Sequence, residues 1–311
     1  MNDNRQSGCY RNLEKQLNSI MKNCNEGSIK TRYRYLEASK RFCEFLSVEY
    51  KLQKFENVKS KHLISYVEAL KEQGLAPASI KTDIAGIRFF HRRSGSNNIL
   101  IDNSKLNLQP REYGKINRAW LPSELSSAVT YAKSVGRMDV AFATRFAYYF
   151  STRLEEVCNL RVNDLKRCMV EKELKIKGKG GKVRYVPMTT PEQRALVQDA
   201  LACAKENRLS HTDRLIVDNR KGGVQAEKKS LQNFISNHQD KFIQSDRQHY
   251  LAGKKIRADK LTFHGLRAAY AQNYYNEIKI QNKELPDREA KLKVSVALGH
   301  NREEVTKIYL D

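Results

Sequence analysis

Apolar residues recur at the spacing of a helical turn along the first third of the chain. One stripe follows Ser28 and contains Ile29, Tyr33, Leu36, Cys43 and Leu46. Two further stripes contain Leu63, Val67 and Leu70, and then Ile80, Ile84 and Ile87. Gly74, Pro77 and Gly95 stand where these stripes stop or start, as the backbone limits of glycine and proline require. The pattern predicts three amphipathic helices in a compact domain over residues 28–103.

The segments on either side of this domain lack a comparable period. Residues 1–27 are polar and weakly patterned, which predicts a mobile N-terminal arm. Residues 104–119 contain Pro110 and Gly114 but no apolar repeat, so we interpret them as an interdomain linker. Residues 120–311 then form a second domain, which is expected to be mostly helical.

One stretch of the second domain alternates with the period of a β-strand. Leu174–Ile176 and Val183–Pro187 are short alternating runs, joined by a turn in which three glycines flank Lys179. This arrangement predicts a β-hairpin with a lysine at its tip. The fold class is therefore mainly α, with a small β-sheet in the C-terminal domain.

The charge of the chain narrows the choice of partner. Its 311 residues carry a formal net charge of +22, with 18 basic and 10 acidic residues in positions 1–100 and 39 and 25 in the remainder. Basic charge spread over folded sequence favours a polyanion such as DNA, because neutralising phosphates releases counterions. A membrane surface is the competing polyanion, but no apolar run is long enough to span a bilayer and no leader opens the chain.

The cysteines indicate a reducing compartment. None of the six forms a Cys-x-x-Cys pair, and their spacing does not suit a zinc site. We therefore expect reduced thiols, a cytoplasmic protein and no bound metal.

Several polar residues of the second domain could together bind a phosphate. Thr152 and Glu155 fit a capping box, which would place Arg153 in the first turn of a helix, where backbone N–H groups attract anions. The alternative is a surface arginine paired with Glu156. Lys179 on its flexible turn could donate a proton or hold a phosphate, although such turns often only reverse the chain.

Two histidines and a tyrosine extend this set. His264 and Arg267 lie three residues apart on a helix predicted to begin at Thr262, so both can reach one phosphate. A capping histidine beside a solvated arginine is the alternative. His300 follows a Leu-Gly helix stop and precedes a new cap, a corner that suits a positioned donor. Tyr309, on the next helix, would by itself be interpreted as a core residue.

These signals occur in an order that resembles the tyrosine recombinases, the phage-integrase and Xer-type site-specific DNA recombinases. The resemblance is carried by Arg153 with Glu156, by "GKGGKVRYVPM", by "HGLR" and by "LGHNREEVTKIYL". Residues 28–96, including "LAPASIKTDIAGIRFF", resemble the helical core-binding (SAM-like) domain of the family. The similarity covers residues 28–311 and implies a catalytic domain over residues 120–311.

The resemblance also implies roles for individual residues. Tyr309 would attack a scissile DNA phosphate and form a 3′-phosphotyrosyl link, which requires no ATP, cofactor or metal. The activated phosphate would be held by Arg153, Arg267 and His300, while His264 would assist proton transfer and Lys179 would protonate the departing 5′-oxygen. Glu156 would orient Arg153. Lys182 and Arg184 on the hairpin are expected to contact DNA phosphates, which gives affinity but no choice of sequence.

The implied partner is double-stranded DNA. The protein is expected to be a monomer in solution that assembles as a homotetramer on paired sites, with accessory DNA-bending proteins, in the bacterial cytoplasm at the nucleoid. The biological role implied is integration or excision of a mobile element. Only Leu310 and Asp311 follow Tyr309. Members of the family commonly pass a C-terminal helix to a neighbouring subunit, so either the chain continues or its subunits communicate differently.

Two other functions stay open. A nicking-closing enzyme of the type IB topoisomerase kind would share the arginine, lysine and tyrosine chemistry. A DNA-binding factor without catalysis is the second, because Ser151-Thr152 stands before Arg153 where the family usually has Thr-Gly. Covalent trapping and supercoil relaxation distinguish the three.

Overall fold

The computed structural model describes residues 7–110, 116–218, 220, 222–245, 247, 256–299 and 309–310. The chain divides into two compact units, residues 1–112 and 113–311, and each is considered by itself. Both are dominated by helices, and the described strands form a two-stranded antiparallel sheet and a short two-stranded parallel sheet. The mainly helical fold with a small sheet is therefore confirmed.

The described residues of the first unit form four α-helices. They are α1 (Gly8–Lys22), α2 (Ile29–Glu49), α3 (Ser60–Glu72) and α4 (Pro77–His91). The Ser28 side chain caps α2 by accepting a hydrogen bond from the Thr31 amide (3.2 Å), and proline occupies the first position of α4. The core is formed by fully buried apolar side chains that include Phe42, Phe55, Leu63, Ile84 and Phe90.

The predicted apolar stripe of α2 is partly wrong. Ile29 and Tyr33 are 59% and 56% exposed, whereas Leu36, Cys43 and Leu46 are buried as expected. The first turn of the helix therefore projects beyond the core, and the helical period alone could not indicate where burial begins.

The prediction of a mobile arm is wrong for residues 8–22, which form α1. Tyr10, Leu13 and Leu17, spaced three and four residues apart, bury one face of this helix in the core of the first unit. Ser7 caps the helix through a hydrogen bond from the Tyr10 amide (3.1 Å). Ile20 and Met21 continue this stripe and pack against the same core while partly exposed, so the helical period was present in the sequence.

The second unit contains eight helices and four strands in the part of the chain that is described. Its helices are α5 (Pro122–Ser134), α6 (Met138–Phe150), α7 (Leu154–Asn159), α8 (Val162–Glu171), α9 (Pro191–Glu206), α10 (Gly223–His238), α11 (Phe263–Gln281) and α12 (Asp287–Leu298). Its strands are β1 (Ile116–Asn117), β2 (Glu173–Lys177), β3 (Val183–Pro187) and β4 (Ile256–Arg257). Helix α6 is almost entirely apolar and packs against α5, α7, α9 and α11, so it forms the centre of the core.

The predicted β-hairpin is confirmed. Strands β2 and β3 are antiparallel, with Leu174 opposite Val186 and Ile176 opposite Arg184. Leu174, Ile176 and Val186 are buried on one face, as the alternation predicts.

The interval between the units is shorter than residues 104–119. Leu106 is buried in the core of the first unit. On the other side, Ile116 and Asn117 pair in parallel with Ile256 and Arg257 of β4. The division at residues 112 and 113 falls inside the segment interpreted as a linker, but both ends of that segment belong to folded units.

Two further expectations bear on the environment of the protein. All six cysteines are free thiols, as their spacing predicts. Within the described ranges, no helix has the length and apolar character needed to cross a bilayer.

Candidate active site

Arg153 stands at the start of α7, directly after α6 ends. Ser151 closes α6 in the left-handed conformation (φ 56°), and Arg153 returns to extended backbone as the N-cap of α7. The Arg153 amide donates to Glu156 Oε2 (2.7 Å), and its guanidinium donates to Glu156 Oε1 (2.8 Å). The capping pair is thus Arg153 with Glu156 and not Thr152 with Glu155. Thr152 is fully buried, and Glu155 instead pairs with Lys228 of α10 (3.0 Å).

Arg184 does not occupy the position expected of a DNA contact. Its side chain is only 7% exposed and forms a bidentate ion pair with Glu156, with both N–O distances 2.7 Å. It also donates to the backbone oxygens of Ser151 (2.9 Å) and Ala297 (3.1 Å). The strand period places Arg184 on the same face as Val186, and this face is turned to the core. The alternation of residues in β3 therefore already indicated from the sequence that Arg184 faces the core.

The buried carboxylate of Glu156 holds two arginines together. Burial by itself would raise the pKa of Glu156, but hydrogen bonds and charge from Arg184, followed by those from Arg153, hold its pKa at about 2. Glu156 is therefore ionised at neutral pH. It offsets the charge of Arg184 inside the core and orients Arg153, whose side chain is 38% exposed.

The ends of two helices bind the arginines through their free carbonyl groups. The Arg267 guanidinium donates to the Ser151 oxygen and to the Leu298 oxygen, the latter at 2.8 Å. Arg153 also donates to Leu298 (3.3 Å). The C-terminal carbonyls of α6 and α12 carry the negative end of the helix dipole, so they favour cations. Distant segments of the chain thereby meet at Arg153 and Arg267.

Arg267 lies deep in this cluster and is only 1% exposed. Burial and the charge of Arg153 lower the pKa of Arg267 to about 10, so it remains a cation at neutral pH. Its Nε and the hydroxyls of Ser151 and Thr152 are buried without a hydrogen-bond partner among the described residues. Unsatisfied polar atoms beside clustered arginines are typical of a site that binds a polar ligand, here an anion.

The Tyr309 hydroxyl meets the His264 ring. Its oxygen lies 2.8 Å from His264 Nε2, and the two ring centroids are 5.6 Å apart. Tyr309 is 6% exposed and packs on the core of the second unit, whereas His264 remains exposed. Burial of part of the ring and the charges of Arg267, Arg153 and Arg118 lower the pKa of His264. The imidazole is therefore neutral at pH 7 and can accept a proton.

Gly265 allows α11 to begin against the segment that precedes α5. A Cβ atom at this position would overlap the Arg118 carbonyl oxygen and lie 2.9 Å from Trp120 Cδ1. Trp120 Nε1 also donates to the backbone carbonyl oxygen of Thr262 (2.9 Å), so this hydrogen bond joins the two segments. The glycine of "HGLR" is thus required by a close backbone approach.

Gly265→Ala is expected to reduce the free energy of unfolding by about 3 kcal/mol, because a backbone oxygen cannot move as a side chain can. Urea denaturation followed by circular dichroism measures this change. Gly8→Ala is the matched control, since nothing lies within 4 Å of its added Cβ. Equal stabilities of the Gly265→Ala variant and the wild type would contradict the close approach.

The remaining predicted residues are only partly described. Lys179 lies in the turn between β2 and β3, and its side chain is outside the described part of the structure. Lys182 is exposed on the same hairpin. Helix α12 ends at Leu298, and Gly299 follows with φ 65°, as the predicted helix stop requires. His300 lies outside the described residues. Within the described ranges, no cluster of three or more His, Cys, Asp or Glu could hold a metal.

Comparisons with known proteins were made for the sequence and for the fold. Residues 121–311 match the model described as the phage integrase family, and residues 10–100 match the model described as phage integrase, N-terminal. The second match includes α1. No curated protein matches the chain.

Three solved structures illustrate the similarity of fold. Lambda integrase in a tetramer bound to a Holliday junction is 14% identical over 96% of this chain and 77% of that chain, with a TM-score of 0.62. XerH site-specific recombinase bound to palindromic difH substrate is 16% identical over 96% and 81%, with a TM-score of 0.61. Tn1549 transposon integrase in complex with transposon right end DNA is 12% identical over 96% and 94%, with a TM-score of 0.58. Such identities show a shared fold, whereas the catalytic-domain model matches more than half of the sequence. The chain belongs to the phage integrase family of tyrosine recombinases.

Proposed function

We propose that this protein is a site-specific DNA recombinase that cuts and rejoins DNA through a phosphotyrosyl intermediate at Tyr309. The hydrogen bond between the Tyr309 hydroxyl and His264, beside Arg153 and Arg267, is the observation that carries the proposal. A neutral imidazole takes the phenolic proton as the tyrosine oxygen attacks phosphorus. The new bond joins the Tyr309 oxygen to the 3′-phosphate, and the bond to the 5′-oxygen breaks.

The arginines would stabilise the negative charge that develops on the phosphate. Arg153 is accessible and Arg267 is buried behind it, so a phosphate at this position would face fixed cations that require little rearrangement. The Arg267 Nε and the Ser151 and Thr152 hydroxyls would gain partners. Glu156 would act by orienting Arg153.

Lys179 and His300 complete the proposed site on the strength of the family resemblance. Lys179 would donate a proton to the departing 5′-oxygen, and His300 would donate a hydrogen bond to the phosphate. Rejoining reverses these steps with another strand supplying the 5′-hydroxyl. The covalent link conserves the phosphodiester bond energy, so no ATP or other cofactor is required.

Double-stranded DNA is the proposed substrate, and the net charge of +22 suits it. Lys182 is a candidate phosphate contact. The similar structures contain a Holliday junction, a palindromic difH substrate and transposon right end DNA. By analogy we propose a protein that is monomeric in solution and tetrameric on paired sites. Accessory DNA-bending proteins, a place at the bacterial nucleoid and a role in moving a mobile element belong to the same proposal.

Covalent trapping tests the proposal directly. A binding site is first selected from a random duplex library, and a nicked version of it then serves as a suicide substrate, because the short fragment beyond the cut diffuses away. We expect a protein–DNA adduct that resists denaturing electrophoresis. Mass spectrometry of the digested adduct should place the nucleotide on Tyr309 through a 3′-phosphate.

The alternatives give different results in the same assays. Relaxation of a supercoiled plasmid that lacks the selected site would favour a topoisomerase. Specific binding without an adduct at any pH would contradict the proposal and favour a non-catalytic DNA-binding factor. An adduct through a 5′-phosphate would contradict the assigned polarity of cleavage.

A further inference from the structure

Arg118 is an exposed arginine between two buried residues. Asn117 and Ala119 are 3% and 2% exposed, whereas Arg118 is exposed. Its guanidinium forms no ion pair or hydrogen bond with any other residue in the described part of the chain. The exposed side chain therefore projects from an anchored backbone.

The backbone around Arg118 is fastened to the elements that carry His264 and Tyr309. Asn117 Nδ2 donates to Gln272 Oε1 of α11 (3.4 Å), and Gln272 Nε2 donates to the backbone carbonyl oxygen of Tyr309 (2.8 Å). The Asn117 Oδ1 accepts from the Ala119 amide (2.8 Å). Together with the close approach of the Arg118 carbonyl to Gly265, these contacts hold Arg118 beside the first turn of α11.

Among the described residues, no carboxylate pairs with Arg118. Glu156 is the carboxylate of the cluster, and it is already bound by Arg153 and Arg184. Arg267 is bound by the carbonyls of Ser151 and Leu298. Arg118 lies near enough to His264 for its charge to act on the imidazole. An accessible guanidinium in such a cationic setting is suited to an anion, above all to a phosphate.

We propose that Arg118 is a further DNA-contacting residue of this site, whose guanidinium binds a backbone phosphate beside His264. This inference deepens the proposed function and rests on it for the identity of the substrate. Arg118 has a second effect in the free protein, where its charge helps to keep His264 neutral. In the described part of the chain, the charges that act on that imidazole are those of Arg267 on the same helix, Arg153 at the start of α7 and Arg118 after β1, and the Tyr309 hydroxyl is hydrogen-bonded to it.

The first test measures binding without cleavage, in a protein that carries Tyr309→Phe. The probe is the selected duplex, with single phosphates replaced in turn by neutral methylphosphonates. Arg118→Gln should weaken binding to the unmodified duplex roughly ten- to a hundredfold, as loss of a charged hydrogen bond does. It should also make the dependence of log Kd on log salt shallower by about 0.9.

The methylphosphonate scan identifies the phosphate. At one position, whether scissile or flanking, the neutral group should weaken binding of the protein with Arg118 but leave the Arg118→Gln protein unaffected. Arg194→Gln, a change at an exposed arginine on α9, is the matched control. Its effect on the binding free energy should add to that of every methylphosphonate replacement. If the effect of Arg118→Gln on binding were also additive with that of every methylphosphonate replacement, the inference would be overturned.

The second test does not involve DNA. Proton NMR titration of His264, assigned with a His264→Gln variant, should show that its pKa rises in Arg118→Gln and is unchanged in Arg194→Gln. An unchanged His264 pKa in Arg118→Gln would contradict the placement of the guanidinium. Because both tests are independent of cleavage, they separate the two proposals. Failed trapping with a positive scan would remove the catalytic proposal alone, and successful trapping with a negative scan would remove the role of Arg118 alone.

Discussion

Tyr309→Phe is expected to abolish the covalent protein–DNA adduct and to leave DNA affinity essentially unchanged. The substitution removes the attacking oxygen but keeps the ring, which is 6% exposed and packs on the core of the second unit. The fold loses the hydrogen bond between the hydroxyl and His264, worth about 1 kcal/mol. Suicide-substrate trapping measures the adduct, and fluorescence anisotropy measures binding to the same duplex.

Tyr274→Phe is the matched control, because Tyr274 is a half-buried tyrosine on α11 that also packs on this core. It should form the adduct at the rate of the wild type. An adduct retained in Tyr309→Phe would move the nucleophile to Tyr274 or Tyr275 and contradict the assigned site.

The role of His264 adds a dependence on pH to this prediction. Burial and the neighbouring arginine charges lower the pKa of His264 below its ordinary 6.5, so the ring is neutral at pH 7 and becomes protonated only at lower pH. Adduct formation by the wild type should therefore decline as the pH falls through this lowered pKa. His264→Gln should slow trapping about a hundredfold or more and should lack this decline. An identical pH profile in both proteins would contradict proton transfer to His264.

The largest expected effect on stability belongs to the buried pair of Glu156 and Arg184. Glu156→Gln leaves the Arg184 guanidinium in the core without a negative partner, close to Arg153 and Arg267. Removal of one member of a buried ion pair typically costs about 3–5 kcal/mol, and we expect a loss of this size in the free energy of unfolding. The double variant with Arg184→Met should be more stable than the sum of the two single changes predicts, because no charge is then left unpaired.

The effect of Glu156→Gln should depend on pH in a definite direction. The pKa of Glu156 is held at about 2 in the folded protein, against an ordinary value of 4.5. Its stabilising contribution is therefore present above pH 4.5 and is lost as the pH falls toward 2. The difference in unfolding free energy between the wild type and Glu156→Gln should shrink over this interval. Urea denaturation at a series of pH values measures the difference.

An exposed ion pair supplies the control for this experiment. Arg167 and Glu171 lie one turn apart on α8, with side chains 42% and 39% exposed. Glu171→Gln should change stability by less than about 0.5 kcal/mol, because water screens such pairs. If Glu156→Gln lowered the free energy of unfolding no more than Glu171→Gln does, the buried ion pair would not stabilise the fold.

The outline of the fold could be predicted from local patterns. Alternation in β2 and β3, the proline that begins α4 and the helix stop at Gly299 depend on residues close together in the chain. Such features hardly depend on the rest of the structure, and the predictions made from them are confirmed. The prediction failed for α1, although Tyr10, Leu13, Leu17 and Ile20 recur at helical spacing, because most of the other residues in this segment are polar.

Candidate site residues could be selected from the sequence, but not the contacts between them. The order of the motifs was enough to select Arg153, His264, Arg267 and Tyr309. The strand period turns Arg184 inward, but only the tertiary structure pairs it with Glu156, brings the ends of α6 and α12 to the arginines, and places Arg118 against Gly265. These contacts join residues far apart in the sequence. Their partners are therefore decided by the packing of helices and strands and not by any local period.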